Sequence, residues 1–188
     1  MAMQVSFVRH RERRDRVYVT RDDGSSTGWD FPSYGDRLPH DLCHLVVEEG
    51  LDIVEGFWGL VDRGVEVELV DNQATLERDG EPLVRQPGID FSDLRRAEEA
   101  VALLGPTGMH IDEVGALAVA RLDPSSTEAP DGDSLRSGTG FGLPAGASDE
   151  AIASVRHRLL DLSGQWRALG DGDAITLTYT GRTTAQGR

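Results

Sequence analysis

Residues 3–9 (Met-Gln-Val-Ser-Phe-Val-Arg) and 15–21 (Asp-Arg-Val-Tyr-Val-Thr-Arg) are rich in β-branched and aromatic side chains, and the second alternates apolar with polar at the two-residue period of a half-buried strand, so both read as strands. Asp22-Asp23-Gly24-Ser25-Ser26 carries turn chemistry and Thr27-Gly28-Trp29-Asp30-Phe31 returns, so the N-terminus is predicted as a three-stranded antiparallel meander. Pro32, Gly35 and Pro39 punctuate a short loop, with Pro39 placed for the first turn of the next element. From Leu38 to about Arg63 the period changes. Leu42, Leu45, Val46, Ile53, Phe57, Leu60 and Val61 recur at helical spacing with acids between them, predicting one long amphipathic helix. Gly50, Gly56 and Gly59 each cost about 1 kcal/mol relative to alanine in a helix interior, which marks Gly50 as the place for a kink or break.

Alternation resumes in Val65-Glu66-Val67-Glu68-Leu69-Val70, and Ala74–Arg78 with Glu81–Val84 around Asp79-Gly80 reads as a hairpin. A helix is expected from Phe91 to Leu104, with Ser92 as N-cap and Gly105-Pro106 as stop, and another over Ile111–Arg121. Residues 123–147 are dense in Gly, Pro, Ser and acids and read as a loop or linker. Ser148-Asp149-Glu150 opens a helix to about Leu169, with Ile152, Val155, Leu159, Leu162 and Trp166 on one stripe. Ala174–Thr180 forms a closing strand. The fold class is α+β: antiparallel meander and hairpins packed with one long amphipathic helix and two or three further helices. Residues 1–122 form the core, 148–181 complete the same domain, and 182–188 are a disordered tail.

At 188 residues and 38% hydrophobic, the chain is long enough to bury a core of its own. It shows neither a membrane-length apolar run nor a signal-peptide pattern, so a cytoplasmic protein with no membrane association is expected. The single cysteine, Cys43, excludes a disulfide framework and a Cys-rich zinc site. All 19 basic residues are arginine against 33 acids, a formal charge of -14. The lysine-free, acidic composition fits either a GC-rich genome or a salt-adapted surface. It disfavours nucleic acid as a partner. The one basic stretch, Arg9-His10-Arg11-Glu12-Arg13-Arg14-Asp15-Arg16, reads as a solvated hairpin end.

Chemistry concentrates at the start of the long helix, in His40-Asp41-Leu42-Cys43-His44-Leu45-Val46-Val47-Glu48. Plotted around the helix, His40, His44, Glu48, Asp52 and Glu55 gather opposite the aliphatic stripe, on what reads as the solvent-facing side. Imidazoles four residues apart can share one ion, and Glu48 can add an oxygen ligand or orient an imidazole from behind. His40, His44 and Glu48 are therefore candidate ligands of a divalent metal such as zinc. A third protein donor from elsewhere is sought among His110, Asp112, Glu113 and His157. Asp41 stands where the zinc-protease pattern His-Glu-x-x-His has its glutamate, and its shorter side chain makes it a candidate but short-reaching general base. The dyad His40-Asp41 also resembles that of HD-domain phosphohydrolases over Leu38–Glu48. That resemblance implies an all-helical fold and an upstream helical histidine, whereas here only His10 lies upstream, on a predicted strand.

Cys43 lies beside the histidines on the helix, but its side chain diverges by about 100° from that of the adjacent His44, and it reads as a packed thiol. Gly138-Thr139-Gly140-Phe141-Gly142 lacks the strand and lysine of a phosphate-binding loop. Trp29, Phe31, Tyr34, Phe57 and Trp58 are candidates to line a pocket beside the helix start or to pack as core. Two readings remain. The favoured one is a non-enzymatic binding, assembly or regulatory module that meets a protein partner or a second copy of itself. The other is a divalent-metal-dependent, hydrolase-like domain using the His40/His44/Glu48 face.

Overall fold

The computed structural model describes residues 2–31, 35–70, 73–105, 143–144 and 146–181. The predicted helix over Ile111–Arg121, the residues His110, Asp112, Glu113 and Tyr34, nearly all of the expected linker and the 182–188 tail lie outside the described residues.

The fold is α+β. Strands β1 (Met3–Val8), β2 (Asp15–Thr20) and β3 (Ser26–Phe31) form the expected meander, and the closing strand, labelled β7 (Ala174–Tyr179), pairs antiparallel with β1 from Met3↔Tyr179 to Val8↔Ala174. The sheet order is therefore β3-β2-β1-β7. Its strand alternation sorts Met3, Val5, Phe7, Val17, Val19, Trp29, Phe31, Ile175 and Tyr179 to one buried face. A second sheet has the order β4-β5-β6, from β4 (Glu66–Val70), β5 (Gln73–Arg78) and β6 (Glu81–Pro82). The predicted last strand stops at Pro82, which lacks the N–H to continue a ladder; the chain turns instead over Leu83–Arg85 and buries Leu83.

Between the sheets in sequence runs the segment predicted as one helix, and the structure divides it. Helix α1 (His40–Gly50) ends where Leu51 packs into the core, Asp52 adopts a left-handed backbone (φ 59°), and α2 (Phe57–Asp62) restarts after Gly56. Asp52 and Glu55 consequently sit exposed in the connecting turn rather than on a helix face. Helix α3 (Ser92–Leu104) has Ser92 as its first helical residue and not as the expected N-cap: Phe91 stands at that position without a side-chain cap, and the Asp90 carboxylate accepts the Ser92 backbone N–H at 2.8 Å. Helix α4 (Asp149–Ala168) starts where expected and is capped by Ser148, whose Oγ accepts from the Ala151 N–H at 3.1 Å. Both α3 and α4 pack on α1, so Leu42 through Glu48 are buried without interruption. No helix among the described residues is long and apolar enough to cross a membrane.

The basic stretch is only partly the solvated hairpin end that was expected. Arg11 to Arg14 are exposed, but Arg9, His10 and Asp15 are buried. Arg9 donates to the Trp166 and Arg167 carbonyls at 2.7 and 3.2 Å and to Asp36 at 2.5 Å, satisfying the open C-terminal end of α4. Asp15 in turn accepts the His10 backbone N–H at 2.6 Å.

Candidate metal centre

Four residues on one helix bring His40 and His44 into edge-to-face contact, ring centres 4.7 Å apart. The side of α1 that carries them is not the solvent face. Helix α3 covers it, and Glu98 projects from α3 against both imidazoles: Glu98 Oε1 stands 3.4 Å from His44 Nε2, and Oε2 stands 3.6 Å from His40 Nε2. One donor atom from each of His40, His44 and Glu98 lies within 4.8 Å of the others. Side-chain exposure falls from 33% at His40 through 13% at Glu98 to 3% at His44, so the cluster opens to solvent past His40 and closes behind His44.

Glu48 forms the back wall instead of a corner of the triangle. Its Oε1 meets His44 Nδ1 at 3.2 Å and accepts the Phe57 N–H at 2.9 Å, while Oε2 accepts the Trp58 N–H at 2.9 Å. The break after α1 thus has a local purpose, because it turns the first N–H groups of α2 onto a carboxylate buried in α1. Gly56 leaves room for this approach; a Cβ there would lie 2.5 Å from Glu48 Cδ. Of the two roles open to Glu48 in the sequence, the arrangement is that of a carboxylate holding Nδ1 and leaving Nε2 to face Glu98.

The electrostatics follow from burial and pairing. Burial opposes a charge on His44, but the facing Glu98 and Glu48 carboxylates outweigh it and push the imidazole up to about 10. At Glu98 burial likewise opposes ionisation, and the two imidazoles overcome it, holding the carboxyl below its ordinary value. Burial raises the Glu48 carboxyl against the pull of His44 and the two backbone N–H groups. The facing Glu98 and Glu48 carboxyl groups thus favour a proton on His44. Glu98 Oε2 is buried and makes no hydrogen bond. A divalent cation held between His40 and His44 would replace that proton and come within reach of that oxygen, which stands 3.6 Å from His40 Nε2.

Other sequence candidates lie elsewhere. The Asp41 carboxylate accepts the Trp29 indole N–H at 3.0 Å, on the sheet side of α1, and its carbonyl accepts the Trp58 indole N–H at 2.7 Å. The structure does not bring it to the imidazoles, since a one-residue step rotates a side chain about 100° around a helix. His157, weighed as a third ligand, is 80% exposed on α4 beside Asp161. Trp29, Phe31, Phe57 and Trp58 are all buried, and Trp29, Phe57 and Trp58 pack on one another, Phe57 edge-on to both indoles, with centroids 5.1 to 5.8 Å apart. They form a packed aromatic wall, with Phe57 6.1 Å from the His44 ring.

Cys43 is fully buried and burial pushes its thiol pKa up, away from the nucleophilic thiolate. The folded protein is accordingly expected to react with a chromogenic disulfide reagent only after denaturant is added; prompt labelling of the native state would contradict this burial.

Glu98 is the residue that the sequence reading missed. Its signal was present: Leu94, Ala97, Val101 and Leu104 form the apolar stripe of α3, and position 98 falls on that stripe, four residues after Leu94 and three before Val101. An acid on a buried stripe needs a partner. Compared with known proteins, the chain matches no family model, no curated protein and no solved structure.

Proposed function

We propose that this protein is a binding module that holds a divalent metal ion between α1 and α3, with His40, His44 and Glu98 as ligands and Glu48 orienting His44. The observation that carries this reading is Glu98. A carboxylate oxygen buried without a hydrogen bond costs on the order of 1–3 kcal/mol or more, and Glu98 Oε2 is such an atom, 3.6 Å from His40 Nε2, while Oε1 of the same carboxylate stands 3.4 Å from His44 Nε2. A cation accounts for its placement.

A binding role is favoured over hydrolysis by what the remaining carboxylates do. Asp41, the acid that the sequence offered for moving a proton, is engaged by the Trp29 indole, and Glu48 is held by two backbone N–H groups and His44. The test is metal analysis of protein purified without a histidine tag and incubated with zinc. One equivalent is expected in the natural chain and none in the His40→Ala/His44→Ala double variant. Absence of stoichiometric metal from the natural chain overturns the reading.

A further inference from the structure

The donor set and its spacing narrow the ion and the way it is held. We infer that the site takes a four-coordinate late first-row ion of the zinc class and leaves one coordination position open beside His40 for a small exogenous ligand; this rests on the metal reading above.

Imidazole nitrogens are poor donors for Mg²⁺ and Ca²⁺, which take oxygen ligands, and good ones for zinc and its neighbours. Spacing points the same way. Bonds of about 2.0–2.1 Å place the donors of a tetrahedral ion about 3.3–3.4 Å apart, and those of an octahedral ion about 2.9 Å apart. The separations here, 3.4 Å from His44 to Glu98 Oε1 and 3.6 Å from His40 to Glu98 Oε2 in a donor triangle that spans up to 4.8 Å, stand at or above both edges and lie nearer the tetrahedral one. Among the described residues, His40, His44 and Glu98 form the one such group, so they supply three donors. The fourth vertex is left to the open side. His44 and Glu48 are sealed behind the ion by α2 and Phe57, whereas His40 is one-third exposed. A ligand reaching the ion therefore enters past His40, and a single open vertex takes a monodentate one such as water or a small anion.

Cobalt(II) reports coordination directly. Loaded into the purified full chain, it is expected to give the intense visible bands of four-coordinate cobalt, and sodium azide is expected to shift those bands; the His40→Ala variant loses both. Cobalt bound with only the weak bands of six-coordination overturns the inference on geometry. Intense bands that azide does not move overturn the open position, because a protein group then fills it. Failure of the natural chain to bind cobalt or zinc at all is the failure of the metal reading itself, and equilibrium dialysis distinguishes it from the other two.

Discussion

Glu48→Ala is expected to lower folding stability by about 3–5 kcal/mol, the range for removing one partner of a buried charge pair. The residue is wholly enclosed, and its two oxygens are the acceptors for the Phe57 and Trp58 N–H groups as well as for His44. Truncation leaves two buried backbone donors and one imidazole without their acceptor at the same moment, and opens a void where Gly56 had made room for the carboxylate. Measured by denaturant unfolding with chelator present, so that metal binding does not add to the native state's stability, a loss below about 1 kcal/mol would contradict the role assigned to Glu48. Glu48→Gln separates scaffold from site. The amide keeps the shape and one acceptor oxygen but removes the charge behind His44, so metal affinity of the folded variant is expected to fall about 10–100-fold, the usual effect of an outer partner. A purely structural Glu48 would leave the affinity of the folded fraction unchanged.

How much of this was legible in the chain depends on whether the determining contact is local. Strand β2 was readable because it is half-buried and wrote that burial as alternation; β1 was readable from its β-branched and aromatic side chains, and β3 from the turn signal that precedes it. The division of α1 from α2 was legible only as a run of glycines. Leu51 and Ile53 stay in the core through the turn, so the apolar pattern continues across a break that the backbone makes at Asp52. The site divided in the same way. Spacing on one helix correctly grouped His40, His44 and Glu48 on one arc, but an arc does not say what covers it. That information sat in α3, half a hundred residues away, as a glutamate on an apolar stripe. The arc took on its solvent-facing reading from acids that the turn carries off: once Asp52 and Glu55 leave the helix, what remains at its centre is buried.

That turn makes the second large prediction. Gly59→Ala is expected to destabilise the protein by about 3 kcal/mol, at the upper end of the range for overpacking. A Cβ at Gly59 would overlap the carbonyl oxygen of Val54, a backbone atom in the α1–α2 turn, and would also come within 3.5 Å of the Tyr179 hydroxyl. A side chain can swing aside, but the Val54 carbonyl can retreat only by moving the turn that delivers the Phe57 and Trp58 N–H groups to Glu48. The damage is therefore expected to reach the metal site, weakening metal binding in the folded variant as Glu48→Gln does. Gly164→Ala is the control. On the exposed side of α4 its Cβ meets nothing within 4 Å, so there the change is expected to stabilise by about 0.5–1 kcal/mol through helix propensity alone. Thermal unfolding of the two variants side by side decides the matter: equal midpoints would mean that the close approach of α2 to the Val54 turn does not hold the Glu48 carboxylate in place.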